Sequence, residues 1–290
     1  MLKKHGSVHR ARDDDCVGHR KLCALPPSRH RGSGMSPLVV VESLVKEFPS
    51  SEGAARRAVD EVSFSVDERE IFGIVGESGS GKTTVARVLL HLTRPTSGRV
   101  TVAGIDPWNS TREERRRYHE VIQVVFQDPY SSMDPRMRVG AVVSEGLRSR
   151  RTHDRPVPTV TELLDLVGLP ASYAGLYPHE LSGGQRQRAA IARALAMGPQ
   201  VLVADEPVSA LDVSMRGQVL NLLTSLQVEL GLTVIFISHD LGIVQQMCNR
   251  VAVMHLGRVV EMGNPVETFE HPTNSYTQQL VASVPRVPTS

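Results

Sequence analysis

The feature that most constrains this 290-residue chain is the octet Gly76-Glu77-Ser78-Gly79-Ser80-Gly81-Lys82-Thr83, which follows directly on the apolar run Ile71–Val75. Its glycines let the backbone wrap so tightly that successive N–H groups point inward at phosphate oxygens, and a helix beginning near Lys82 adds its positive dipole end. The Lys82 ammonium suits β- and γ-phosphates, and the Thr83 hydroxyl, followed by Thr84, suits a divalent cation. A chain of this length and average composition meets the pattern by chance about once in a hundred. Its position between a strand pattern and a helix pattern is the one the mechanism requires.

The neighbouring pattern agrees. Ile71–Val75, Val121–Phe126, Val201–Ala204 and Val234–Ile237 are continuous apolar runs, as expected for strands of a parallel sheet buried on both faces. Helical periods follow at Lys82–Leu92, Gln185–Ala196, Ser214–Leu230 and Leu241–Cys248, so the expected fold is α/β with right-handed crossovers. Leu38–Val41, Val62–Val66 and Arg99–Ala103 read as an antiparallel patch. Between Asp134 and Glu180 the strands stop, and helical periods at Val139–Arg150 and Val160–Val167 predict an inserted helical subdomain over about 135–180. A proline-interrupted C-terminal segment, 261–290, carries one amphipathic stretch at Ser275–Ala282.

Composition narrows the function. With 40% hydrophobic and 22% charged residues the chain reads as globular, and no run approaches the ~18–20 apolar residues a membrane-spanning helix needs, so a membrane role must run through a partner. The net charge of +2 hides an asymmetry: residues 1–34 hold eight Lys and Arg against three Asp, leaving −3 for residues 35–290. A slightly acidic body is a poor match for nucleic acid. The three cysteines make no disulfide framework and suit a reducing cytoplasm. In the leader, Cys16, His19, Cys23 and His30 miss zinc-knuckle spacing. Residues 1–34 are expected to be a functionally silent, disordered basic extension upstream of Met35 as the true start.

A phosphate cradle needs carboxylates at a second strand end, and Val201-Leu202-Val203-Ala204-Asp205-Glu206 supplies two. Asp205 is placed to hold Mg²⁺ through its water, and Glu206 to orient or deprotonate the attacking water. Leu181-Ser182-Gly183-Gly184-Gln185 opens a later helix with a good capping residue and two glycines that leave N–H groups free, a second anion site.

That pentapeptide together with the phosphate loop resembles the ATP-binding cassette (ABC) ATPases. The resemblance covers residues 38–284 and implies a P-loop NTPase (RecA-like) sheet with ATP and Mg²⁺ as ligands. It implies that Gln127, in Phe126-Gln127-Asp128-Pro129, is the Q-loop residue that contacts Mg²⁺. Ser209-Ala210-Leu211-Asp212 matches the D-loop, His239 the switch histidine that senses the γ-phosphate, and Phe48 the aromatic that stacks on adenine. Phe126-Gln127-Asp128-Pro129-Tyr130-Ser131-Ser132-Met133-Asp134-Pro135-Arg136, Tyr177-Pro178-His179-Glu180, His271-Pro272, Tyr276-Thr277 and Ser283-Val284-Pro285 resemble the oligopeptide, dipeptide and nickel importer subgroup, most of all its second ATPase. Met133-Asp134 stands where Leu-Asn is usual, and many members continue into a cysteine-bearing tail beyond the point where this sequence ends. The subgroup implies a peripheral ATPase on the cytoplasmic face of the membrane. It would power transmembrane permease subunits, pair with a second cassette of the same or another chain, and serve a solute-binding protein indirectly. The alternatives are an exporter ATPase or a soluble cassette of repair or translation. The 54 residues from Gln127 to Leu181 are too few for the coiled coil of repair members, and translation members carry two cassettes per chain.

Overall fold

The computed structural model describes residues 37–49, 55–130, 133–150 and 156–283. The basic leader with its Cys and His residues, Met35, Ser131-Ser132 and Val284-Pro285 lie outside the described residues.

Two sheets organise the described chain. The first is antiparallel, in the order β2-β1-β4, from β1 (Val39–Phe48), β2 (Arg56–Val66) and β4 (Ser97–Val102). The second has the order β5-β6-β7-β3-β8-β9, from β3 (Ile71–Val75), β5 (Ile122–Val125), β6 (Val201–Asp205), β7 (Thr233–Ser238), β8 (Arg250–His255) and β9 (Arg258–Gly263). Its first five strands are parallel, and β9 returns antiparallel on β8.

The continuous apolar runs are explained by the two faces. β3, β6 and β7 are buried along their whole length. Alternate residues face opposite layers. Phe72, Ile74, Val201, Val203, Ile235 and Ile237 pack against the antiparallel sheet and α1 (Lys82–Leu89), whereas Leu202, Ala204, Val234 and Phe236 pack against the helices on the other side. At about 1.5–3 kcal/mol for each fully buried large side chain, this double burial anchors the central strands firmly between the two layers. Cys248 is part of this packing: its thiol is buried, its pKa pushed up to about 12 by desolvation, and it is inert.

The inserted region is helical as expected: α3 (Val139–Ser149), α4 (Val160–Leu166) and short 3₁₀ turns at Ala171–Gly175 and Pro178–Glu180. A Cβ on Gly146 would stand 2.7 Å from that of Ala196, so a glycine lets α3 lie directly on α5 (Gly183–Ala196). α6 (Val213–Leu230), α7 (Leu241–Met247), α8 (Pro265–Glu270) and α9 (Ser275–Ala282) complete that layer. Among the described residues, no helix is long and apolar enough to cross a membrane.

Some boundaries differ from the sequence reading. The strand expected from Val121 begins at Ile122, because Val121 closes a helix, α2 (Arg112–Val121), that apolar periodicity does not reveal. Thr111 caps it by a reciprocal box: Thr111 Oγ1 accepts from the Glu114 N–H at 3.3 Å, and Glu114 Oε2 accepts from the Thr111 N–H at 2.8 Å. The helix expected at Gln185 starts two residues earlier, at Gly183. β8, β9, α2 and α8 were not anticipated.

Candidate functional site

The phosphate loop leaves β3 at Val75 and enters α1 at Lys82. Gly76 has φ 148° and a Cβ there would meet the Met254 carbonyl at 2.2 Å; Gly81 has φ 108° and a Cβ there would meet the Ala58 carbonyl at 2.5 Å. Only glycine fits either position. No side chain caps α1, so its first N–H groups remain for a ligand. Lys82 is 5% exposed; its Nζ donates to the carbonyls of Gly76 (2.7 Å) and Glu77 (2.8 Å) and to Ser80 Oγ (3.4 Å). Burial lowers its pKa from the ordinary lysine value, while Glu206, Asp205 and Glu77 oppose that shift.

A cavity of about 560 Å³ opens on this loop, lined by Ser78, Gly79, Gly81, Lys82, Thr83 and Thr84, and by Glu206, Phe48, Pro49, Arg56 and Ala58. Phe48 ends β1 opposite Arg56, and its half-exposed ring lies under the Lys46 ammonium at 4.9 Å. Phe48 therefore shares one cavity wall with Arg56, which the sequence did not single out.

Asp205 closes β6 and is buried; burial first, and then the neighbouring Glu206, raise its pKa above the usual carboxylate range. Lys82 and Arg87 oppose that shift without cancelling it, so the carboxylate is only partly compensated. Glu206 takes a left-handed backbone, φ 48°, a conformation uncommon outside glycine. It is held by its N–H donating to Ile237 O (2.9 Å) and by its carbonyl accepting from the Ser209 N–H (3.2 Å) and Oγ (3.1 Å). His239, after β7, brings Nδ1 to 3.2 Å from Glu206 Oε1. Gln127 is exposed two residues past β5, whose end pairs with β6 at Val125 and Ala204; it does not line the cavity.

The second expected anion site stands apart. Ser182 caps α5: its Oγ accepts from the Gln185 N–H at 3.3 Å, Gln185 Oε1 accepts from the Ser182 N–H at 2.9 Å, and Gln185 Nε2 donates to Tyr173 Oη at 3.1 Å. Leu181 is buried beneath this corner and Ser182 is exposed. Gly183 and Gly184 seat α5 on the segment from Asp212: a Cβ on Gly183 would lie 3.3 Å from Leu211, and one on Gly184 would lie 2.0 Å from Met215 Cε. Asp212 caps α6, with Oδ1 accepting from the Met215 N–H (2.9 Å) and Ser214 Oγ (2.7 Å); these bonds lower its pKa. Neither Leu181–Gln185 nor Asp212 lines the Lys82 cavity of the same chain.

A glycine cradle on a buried lysine, with an under-compensated carboxylate and a carboxylate–imidazole pair at adjoining strand ends, defines a P-loop nucleotide-binding protein. The family model for ABC transporters matches residues 59–209. A probable peptide ABC transporter ATP-binding protein of Sinorhizobium fredii is 47% identical over 259 residues, covering 86% of this chain and 72% of that protein. The oligopeptide transport ATP-binding protein AppF of Bacillus subtilis is 45% identical over 257 residues, covering 86% and 78%. Among solved structures, cbiO1 of Clostridium perfringens, part of the ABC transporter complex cbiONQ, aligns with a TM-score of 0.69 at 30% identity over 82% of this chain and 92% of that one. The ATP-binding cassette MJ0796, in a dimeric post-hydrolysis state bound to ADP and Pi, aligns with 0.69 at 29% over 78% and 98%. The chain belongs to the ABC transporter family, as a nucleotide-binding transport ATPase.

Proposed function

We propose that this cassette powers an importer of peptides or related small solutes, working as one of a pair on the cytoplasmic side of membrane permease subunits. The observation that carries the pairing is that the Ser182 corner is exposed and capped, yet borders no part of its own chain's nucleotide cavity. A γ-phosphate held by Lys82 can reach a second helix start only if another cassette supplies it. Nucleotide then favours the closed pair, and hydrolysis removes the anion that joins its halves.

Within the pair we assign Gly76–Thr84 to the phosphates and Phe48 to adenine. Leu181–Gln185 and Asp212 would face the partner cassette's nucleotide. Thr83, Asp205 and Gln127 would hold Mg²⁺, which neutralises phosphate charge when bound; the raised pKa of Asp205 fits such a cation. Glu206 would orient and deprotonate the attacking water, with His239 beside it as the residue that responds to the γ-phosphate. For the permease contact we assign the groove of about 490 Å³ between β5 and helices α3 and α5, which adjoins Gln127 in sequence. A peptide cargo is supported by the names of the relatives. Residues 35–290 would form the cassette, with 1–34 outside it.

The test is to isolate the membrane complex through a tag on this chain and identify the solute on its binding protein by mass spectrometry. A peptide, or a related small solute such as a nickel chelate, an opine or a glycoside, bound there supports the proposal; a complex without permeases or without a solute-binding protein would overturn it.

A further inference from the structure

The C-terminal segment reaches the phosphate loop at one point. Tyr276, on α9, accepts a hydrogen bond on its hydroxyl from the Glu77 N–H at 3.1 Å, across 199 residues of chain. The carbonyl of that same peptide unit, Gly76 O, accepts from Lys82 Nζ at 2.7 Å. The peptide between Gly76 and Glu77 is thus held at both ends, by the catalytic-site lysine on one and by a tyrosine from the far end of the chain on the other. Gly76 supplies the least backbone resistance to rotation of that peptide, so its orientation depends on these two partners.

Tyr276 is itself held from two sides. Its ring stacks on His255 with centroids 3.7 Å apart, and His255 ends the strand whose following turn donates from Gly257 N–H to Ser80 O of the same loop at 2.9 Å. The approach to α9 is tied to β9 by Glu261, whose carboxylate accepts from the Thr273 N–H and hydroxyl, both at 2.8 Å, and from the Asn274 N–H at 3.2 Å. Asn274 Oδ1 then caps α9, accepting from the Tyr276 N–H at 2.9 Å. Burial holds the Tyr276 phenol above its ordinary pKa, so it is the neutral hydroxyl that meets Glu77 at physiological pH.

We propose that Tyr276 is a positioning residue of the nucleotide site: by fixing the Gly76–Glu77 peptide against Lys82, its hydroxyl makes the C-terminal segment a determinant of ATP affinity. The inference rests on the nucleotide-site reading above. Tyr276 does not line the Lys82 cavity; it acts through the loop. Removing the hydroxyl while keeping the ring on His255 frees the peptide to tilt, and Lys82 loses a fixed carbonyl.

The experiment compares Tyr276→Phe with wild type, with Gln279→Ala on the exposed face of α9, and with Lys82→Ala. Equilibrium binding of ATP, steady-state ATPase kinetics and thermal melting are measured on the full chain. Tyr276→Phe is expected to raise Kd and KM for ATP about five- to tenfold with kcat within about twofold, while Gln279→Ala behaves as wild type. Unchanged Kd and KM in Tyr276→Phe, with or without a lower melting temperature, would reduce Tyr276 to a structural brace and overturn the proposal. Wild-type ATP affinity in Lys82→Ala would instead overturn the nucleotide-site reading on which it rests.

Discussion

Nδ1 of His239 stands 3.2 Å from Oε1 of Glu206, joining the ends of β7 and β6 through one imidazole–carboxylate contact. The Glu206 side is rigid, because its left-handed backbone is pinned by Ile237 and Ser209; the His239 side is more than half exposed. A pinned carboxylate beside an exposed imidazole suits a base whose water is positioned when the histidine meets a second anion. His239→Ala should therefore lower ATP turnover about tenfold or more, with ATP affinity within about threefold of wild type. Equal turnover in the two proteins would remove His239 from the mechanism.

Asp205 should trade stability for activity. Its pKa is raised in the folded chain, first by burial and then by Glu206, so the fold favours the protonated carboxyl. That contribution is complete below the unfolded carboxylate pKa and is lost as pH rises through the folded one. At neutral pH the charge is a burden, and Asp205→Asn should raise the melting temperature of the nucleotide-free protein while cutting Mg²⁺-dependent turnover about 10²-fold or more. The melting gain should shrink as pH falls through the carboxylate range. A lower melting temperature at neutral pH would contradict it.

Gly76→Ala should damage both the fold and the site. The new methyl would meet backbone, the Met254 carbonyl at 2.2 Å, at a φ of 148° that other residues avoid. Overpacking of this kind costs about 1–3 kcal/mol, and the displaced peptide is the one Lys82 holds. Denaturant melts should show the loss, and ATP binding should weaken with it. Full affinity in a destabilised variant would separate the two.

Ser182→Ala removes a cap from α5 and should cost about 1 kcal/mol of stability. Because Ser182 borders no part of its own chain's cavity, ATP affinity of the separate cassette should stay near wild type while turnover of the assembled pair falls. Reduced affinity in the separate cassette would argue against a shared site.

The sequence made the central strands and the phosphate loop legible for one reason: β3, β6 and β7 are buried on both faces, and that writes unbroken apolar runs next to motifs of fixed spacing. α2 escaped because Arg112–Val121 offers the core only Tyr118 and Val121 as apolar residues; its readable signal was the Thr111 and Glu114 capping box. The β8–β9 hairpin turns on Leu256 and Gly257, at φ 46° and 83°. An exposed leucine in a left-handed turn position disguises what a glycine or asparagine there would announce. Tyr276 was visible as a resemblance to one subgroup, but its bond to Glu77 spans 199 residues, and no local pattern encodes that.

The most direct test of hydrolysis at a site shared by two cassettes is the Glu206→Gln chain, assayed alone and with the cassette that copurifies with it. Solution mass and ATP turnover would be measured in the presence of Mg²⁺ and ATP. The expected result is retained ATP binding, a complex with the mass of two cassettes that persists because its nucleotide is not cleaved, and turnover lower by about 10²-fold or more. Wild-type turnover, or ATP held by single cassettes that never pair, would contradict it.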